Sequence, residues 1–115
     1  IMFELSRRAA LAGLGAAATL GAPARAQGQP TIRIGVLSDM SGPYRDISGP
    51  GCVAAARQAV QDFAAASGLN VEILQADHQN KADVGLNIAR QWFDRDGVDE
   101  ITDVNNSGIA FALNG

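Results

Sequence analysis

The stretch TIRIGVLSDMSGPY, residues 31–44, joins a strand pattern directly to a loop pattern. Residues 31–37 are rich in β-branched side chains and predict an interior strand, in which Gly35 allows a neighbouring element to approach closely. Small hydroxyl residues, a Gly-Pro turn and Tyr44 follow at once. In α/β proteins, ligands bind beyond the carboxyl ends of such strands. The stretch therefore predicts a ligand cleft after the first strand.

The composition is that of one modest globular domain, with 115 residues, 47% hydrophobic and 18% charged. The net charge of −3 is unevenly distributed, because residues 27–115 carry six basic and eleven acidic side chains. No basic stripe is interleaved with aromatic residues. This pattern excludes a nucleic-acid-binding protein.

Residues 1–26 predict a cleavable export signal. Arg7 and Arg8 precede an apolar run, residues 9–20, and the small-x-small site Ala24-Arg25-Ala26 follows. The run is too short for a membrane span. The paired arginines fit a twin-arginine signal, although Ala10 replaces the usual Phe, and the general secretory route remains an equal alternative.

The GLGAAA run, residues 13–18, matches a dinucleotide-binding fingerprint, but no strand precedes it, so we reject a cofactor site there.

The rest of the chain predicts three strand–helix units. The predicted strands are residues 31–37, 69–76 and 99–104, and the predicted helices are residues 51–66, 82–96 and a short one from Gly108. This alternation predicts a doubly wound parallel three-layer α/β sandwich. If its strand order is 2-1-3, the loops after the first and third strands flank the switch point, and the loop after the second strand lies at the edge. The core is expected to contain Phe63, Trp92 and Phe93 as its large members. Because three strands are few for such a fold, we expect residues 27–115 to be an incomplete lobe.

Other chemistry finds little support in the sequence. Cys52 is the only cysteine, and packing is its favoured role, although a helix start can lower a thiol pKa. His78, the only histidine, lacks companions for a metal shell and is expected to be a loop hydrogen-bonding residue at the sheet edge. The acidic run in residues 94–103 is interpreted as a solvated face rather than a calcium site. Asp39 and Asp46 have no nucleophile or base beside them, so no enzyme is indicated.

Four segments together carry a family resemblance: IRIGVLSDMSGPY, GPGCVAAARQAVQDF, VEILQADHQNKADVGLNIARQWFD and DGVDEITDVNNSGIAFAL. In this order and behind an export signal, residues 31–115 resemble the N-terminal lobe of the Leu/Ile/Val-type periplasmic solute-binding proteins of ABC importers. The resemblance implies the type I periplasmic binding protein fold, with two lobes around a cleft. It also implies a monomeric periplasmic protein without cofactor or catalysis, which passes a small amino acid, aromatic carboxylate or amide to permease subunits.

The resemblance also nominates ligand-binding residues. It places Ser41 and Tyr44 in the ligand-facing loop after the first strand, with Tyr44 as a stacking or lid residue, and Ser107 as a donor to the ligand carboxylate. Asn106 occupies a position where some members have cysteine. The amides of Gly108 and Ile109, at a helix start, would support an anion there. Two simpler interpretations remain open: residues 105–107 can be only a helix cap, and Tyr44 can pack on its own loop.

Three other functions remain alternatives. The chain can be a periplasmic sensor domain, an exported α/β enzyme whose machinery lies elsewhere, or a non-functional truncated fragment. If residues 27–115 act alone, a ligand would contact one wall of a cleft. We then expect no tight binding and poor stability, because tight sites bury most of the ligand.

Overall fold

The computed structural model describes residues 29–115. They form a three-stranded sheet between helices. The elements are β1 (Thr31–Ser38), α1 (Pro50–Ala59), β2 (Asn70–Asp77), α2 (Ala82–Gln91), β3 (Glu100–Thr102) and α3 (Ser107–Leu113). Helices α1 and α2 continue as π-helical segments, Val60–Ala64 and Trp92–Asp96. The predicted export signal and the rejected dinucleotide fingerprint lie outside the described residues.

The sheet is parallel and has the strand order β2-β1-β3. Strand β1 pairs with β2 along its whole length, from Thr31 opposite Asn70 to Ser38 opposite Asp77. On its other side, β1 pairs with the three residues of β3. Being central, β1 carries the fully buried Val36 and Leu37. The predicted doubly wound α/β arrangement is confirmed, and the strand order is the 2-1-3 order that was considered for it.

The face of the sheet under α2 holds the main apolar cluster. Its buried members are Leu37, Trp92 and Val98, and the partly buried members are Leu74, Ala76, Ile88, Ile101 and Leu113. Trp92 lies directly over β1: a Cβ built on Gly35 would be 2.3 Å from Cζ3 of its ring. Only glycine leaves room for the indole at this point, as the sequence pattern suggested.

Two of the three predicted large core residues are not in the core. Trp92 is 5% exposed, but Phe63 is 70% exposed and Phe93 is 53% exposed. Both phenylalanines lie in the π-helical segments, where Ala64 and Trp92 are the buried residues. The wider π turn shifts the side chains out of the 3.6-residue period on which the prediction depended.

The second helical stretch ends as expected, and β3 is shorter than expected. Gly97 ends the π-helical segment after α2 in a left-handed conformation (φ 65°), and its amide donates to the Trp92 carbonyl. Strand β3 stops at Thr102 because Asp103 also has a positive φ, 56°, which turns the chain out of the sheet. Within residues 29–115, no helix has the length and apolar character of a membrane span.

Candidate functional site

Three loops meet beyond the carboxyl ends of the strands. They are loop 1 (residues 39–49, after β1), loop 2 (residues 78–81, after β2) and loop 3 (residues 103–106, after β3). Parallel strands place these loops at one edge of the sheet, and β1 lies at the point where the chain switches direction between β2 and β3. The geometry therefore assembles the region that the sequence predicted as a cleft.

The side chain of Asn105 connects all three loops. Its Oδ1 accepts a hydrogen bond from the Asp39 amide at 3.2 Å and another from Nε2 of His78 at 2.8 Å. Its Nδ2 donates to Oγ of Ser48. Since every polar atom of this amide has a partner, Asn105 fixes the spacing between loops rather than facing a ligand.

Asp39 shapes the first half of loop 1. Its side chain is fully buried, and its carboxylate accepts from the amides of Gly42 at 2.7 Å and Tyr44 at 3.0 Å. The bond from the Tyr44 amide lowers the pKa of Asp39, burial opposes this, and the amides of Gly42 and Ser41 add to the lowering. Asp39 is therefore an ionised acceptor that holds the backbone of loop 1.

Asp77 holds loop 1 against the end of β2. It accepts from the Met40 amide at 3.0 Å, the Ser41 hydroxyl at 2.6 Å and the Gln79 amide at 2.8 Å. Burial acts to raise the pKa of Asp77, but the bonds from Ser41, Met40 and Gln79 outweigh it and the pKa is lowered. The hydroxyl hydrogen of Ser41 is thus engaged, while its oxygen keeps a lone pair for another donor.

Ser38 anchors the other end of loop 1. Its buried Oγ accepts from the amide of Gly49 at 3.1 Å, immediately before α1, and lies 3.3 Å from Oγ of Ser48. Loop 1 is therefore held by two buried side chains at the end of β1: Asp39 binds its first half, and Ser38 binds its last residue, Gly49. Ser38 was not singled out from the sequence.

Tyr44 lies on the outer part of this braced loop. The residue is 39% exposed, its amide is bound to Asp39, and its carbonyl accepts from the amides of Ile47 and Ser48, each at 3.1 Å. The backbone at Tyr44 is thus fixed on both sides. The loop presents a partly exposed aromatic ring on a rigid support at the carboxyl edge of the sheet.

Asn106 and Ser107 form the start of α3. Asn106 is the N-cap: its Oδ1 accepts from the Ile109 amide at 3.0 Å, and its Nδ2 donates to Oδ1 of Asn80 in loop 2. The helix begins at Ser107, which is exposed, one residue earlier than predicted. The expectation that the Ile109 amide is free for an anion is wrong, because the cap occupies it. The Ser107 hydroxyl and the Gly108 amide are the remaining donors of that set.

His78 follows β2, which is an edge strand, so its predicted place at the sheet edge is confirmed. It does form loop hydrogen bonds, as expected, but it is fully buried and its amide donates to the Ser38 carbonyl at 3.0 Å. Nε2 of His78 is hydrogen-bonded to Oδ1 of Asn105, so the ring connects loop 2 to loop 3. Among residues 29–115, no group of three or more His, Cys, Asp or Glu residues is positioned to hold a metal ion.

Cys52, in the first turn of α1, is not an activated thiol. The neighbouring carboxylate of Asp103 raises the pKa of Cys52, and burial raises it further. The possibility that the helix start lowers this pKa is therefore wrong. Oδ2 of Asp103 is buried and has no hydrogen-bond partner among residues 29–115.

An apolar groove lies elsewhere, between α1 with its π-helical segment and the sheet. Its lining includes Phe63, Val60 and, at the amino-terminal end of β2, Leu69 and Val71. None of the loop residues nominated as ligand contacts lines this groove. The groove and the carboxyl edge are therefore separate features of the fold.

A family described as "Periplasmic binding protein" matches residues 31–115. The chain belongs to this family. Periplasmic binding proteins are a solute-binding type rather than an enzyme type, and the predicted family resemblance is confirmed. No curated protein sequence matches the chain.

Solved structures agree with the family assignment. A periplasmic binding protein from Burkholderia mallei is 43% identical, with a TM-score of 0.67, over 73% of this chain and 23% of that chain. A branched chain amino acid ABC transporter periplasmic ligand-binding protein from Burkholderia xenovorans LB400 is 54% identical, with a TM-score of 0.67, over 72% and 22%. An ABC transporter substrate-binding protein from Sphaerobacter thermophilus is 30% identical, with a TM-score of 0.62, over 73% and 23%. The chain matches less than a quarter of each of these structures.

Proposed function

We propose that this chain is part of the extracytoplasmic solute-binding subunit of an ABC importer. The observation that carries the proposal is the braced set of loops at the carboxyl edge, in which Asn105 joins loops 1, 2 and 3. A binding protein needs such a rigid wall, since preorganised loops reduce the entropy lost when a ligand binds. The family match and the ABC transporter proteins among the solved structures support the same function.

The proposed ligand is a small amino acid or a related carboxylate or amide. Tyr44 would cover the apolar or aromatic part of the ligand, and the hydroxyl of Ser107 would donate to its carboxylate. Asn106 supports that position by capping α3, and the free lone pair of Ser41 can accept from a ligand amino group. The Burkholderia xenovorans protein, described as a branched chain amino acid transporter component, makes aliphatic amino acids the first candidates.

The proposal includes location and partners. We place the protein in the periplasm, reached by an export signal in residues 1–26 through the twin-arginine or the general secretory route. There it would act as a monomer and deliver its ligand to ABC permease subunits. These assignments concern a whole protein. The chain itself covers only 23% and 22% of the length of its two Burkholderia structural relatives.

The test is a binding screen of the full-length protein. Isothermal calorimetry and thermal shift would be measured with branched-chain amino acids, aromatic carboxylates, urea and short amides. The proposal predicts saturable one-site binding of at least one compound by the wild type. A protein that binds none of them would contradict the function. A kinase, cyclase or DNA-binding module in the same polypeptide would favour the sensor alternative instead.

A further inference from the structure

We propose that His78 is a positioning residue for the start of α3, through a hydrogen-bond relay that runs from His78 to Asn80 and Asn106. This inference deepens the proposed function, on which it depends for the ligand contact at Ser107. His78 itself is fully buried and contacts no ligand in this proposal. It would determine where Asn106 holds the first turn of α3, and thereby where the Ser107 hydroxyl lies.

The two ring nitrogens of His78 have different and defined partners. Nδ1 lies 2.9 Å from the backbone nitrogen of Asn80, which can only donate, so Nδ1 is an acceptor. Nε2 lies 2.8 Å from Oδ1 of Asn105, which is an acceptor. The geometry therefore requires the neutral ring with its proton on Nε2. Nε2 of His78 therefore donates to loop 3, and Nδ1 accepts from Asn80 in loop 2.

The bond from Asn80 to Nδ1 stabilises a turn that is otherwise unfavourable. Gln79 and Asn80 both have positive φ values, 53° and 57°, in the left-handed region that non-glycine residues seldom adopt. Asp77 accepts the Gln79 amide and His78 accepts the Asn80 amide. With the Nδ1 acceptor removed, the Asn80 amide loses its partner, and the turn is free to relax.

The position of Asn80 is transmitted to α3. Its Oδ1 accepts from Nδ2 of Asn106, and Oδ1 of the same Asn106 side chain accepts from the Ile109 amide. Asn80 thus fixes the rotamer of the N-cap residue. Capping bonds of this kind have a marked influence on a short helix, and α3 has only seven residues. Loss of the Asn80 contact is therefore expected to loosen the first turn that carries Ser107.

Two variants separate the two functions of the imidazole. His78→Asn places an amide oxygen near the Nδ1 position and keeps an acceptor for Asn80, whereas His78→Gln reaches toward the Nε2 position and keeps a donor for Asn105. Asn80→Gly removes Oδ1 but tolerates the positive φ, and so it breaks the relay with the imidazole intact. Asn87→Ala, at an exposed position of α2, is the matched control.

The primary measurement is amide hydrogen exchange at Ile109 by NMR in the full-length protein without ligand. We expect His78→Gln and Asn80→Gly to accelerate this exchange about three- to tenfold relative to His78→Asn and Asn87→Ala. Equal exchange in His78→Gln and His78→Asn would overturn the relay. If His78→Gln does not fold, Asn80→Gly decides: wild-type exchange at Ile109 in this variant rejects the proposal.

A second measurement uses L-leucine as the probe in calorimetric titrations. We expect His78→Gln to bind it about three- to tenfold more weakly than His78→Asn, while both variants melt at similar temperatures. Equal affinities with unequal exchange at Ile109 would refute the link to the ligand but retain the relay. If the wild type binds none of the compounds of the screen, the proposed function fails, and the exchange rates still decide the role of His78.

Discussion

The indole ring of Trp92 occupies the space in which a side chain at position 35 would lie. A Cβ on Gly35 would be 2.3 Å from Cζ3 and 2.6 Å from Cε3. We therefore expect Gly35→Ala to lower the free energy of unfolding by about 1–3 kcal/mol, through overpacking of a rigid ring. Urea denaturation would measure this. Gly51→Ala is the control, because a Cβ there meets nothing within 4 Å. Equal stability of the two variants would contradict the close packing.

Replacing Asn105 is expected to destabilise the whole carboxyl edge. In Asn105→Ala, the Asp39 amide and Nε2 of His78 both lose their acceptor at buried positions, which costs about 1–3 kcal/mol for each unsatisfied group. Thermal unfolding would show a lower Tm. Asn114→Ala is a suitable control, since that exposed side chain makes a single bond to the Ala110 carbonyl. A Tm loss no larger than in the control would show that Asn105 does not join the loops.

The lowered pKa of Asp39 predicts acid sensitivity. A carboxyl whose pKa is lower in the folded than in the unfolded protein contributes stability above its ordinary pKa of 3.8, and this contribution is lost as the pH falls through the folded value. Asp39→Asn should therefore be less stable than the wild type at neutral pH and show a weaker fall in stability below the ordinary pKa.

Unfolding by urea at a series of pH values would measure this difference. Asp46→Asn is the control, because Asp46 is exposed and, within residues 29–115, pairs only with the adjacent Arg45. Parallel pH profiles for Asp39→Asn and the wild type would contradict the assigned bonds. The pKa of Asp77 is also lowered, so protonation of Asp77 is expected to reduce the stability of the protein further in the same acid range.

Cys52 is expected to react slowly with thiol reagents. Its pKa is raised mainly by the neighbouring Asp103 carboxylate, so little thiolate is present at neutral pH. Asp103→Asn removes the charge and still tolerates the positive φ at this position. We expect faster labelling in this variant, by about tenfold for each unit by which the thiol pKa falls. Labelling with a chromogenic disulfide would test this; an unchanged rate in a folded variant would contradict the Asp103 contact.

Ligand affinity is expected to depend on Tyr44 and Ser107. Once a ligand is identified, Ser107→Ala should weaken its binding about three- to tenfold, as expected for one hydrogen bond, with little change in Tm. Tyr44→Ala should weaken it at least as much, because the ring contributes apolar area. Ser67→Ala, at an exposed residue lining the groove beside α1, is the control. Unchanged affinity in both site variants would show that the ligand binds elsewhere on the protein.

Local patterns were sufficient to predict the layout of the fold. The β-branched run of β1 and the helical period of α2 are properties of neighbouring residues, and they predicted these elements closely. The end of β3 was not predictable, since the positive φ of Asp103 has no signature in its neighbours. Phe63 and Phe93 were misplaced because sequence periodicity does not reveal a π turn.

The candidate site was only partly predictable for a different reason. Asn105 lies 66 residues from Asp39 and 27 from His78 along the chain, so no local pattern reveals that these residues meet. The Asn-Asn-Ser sequence indicated a cap, and Asn106 is one. Its neighbour Asn105 would have been found by asking which polar residues follow each of three parallel strands at the same edge.

The position of β1 within the sheet also bears on synthesis of the protein. Of the three strands in residues 29–115, the one made first lies in the middle: Thr31 pairs with Asn70, and Ile34 with Glu100. A growing polypeptide therefore exposes its most apolar strand until much later residues have emerged, and closing such distant pairs makes folding slow. The newly made protein must pass through an interval in which this strand is open to chaperones or to the wrong partners.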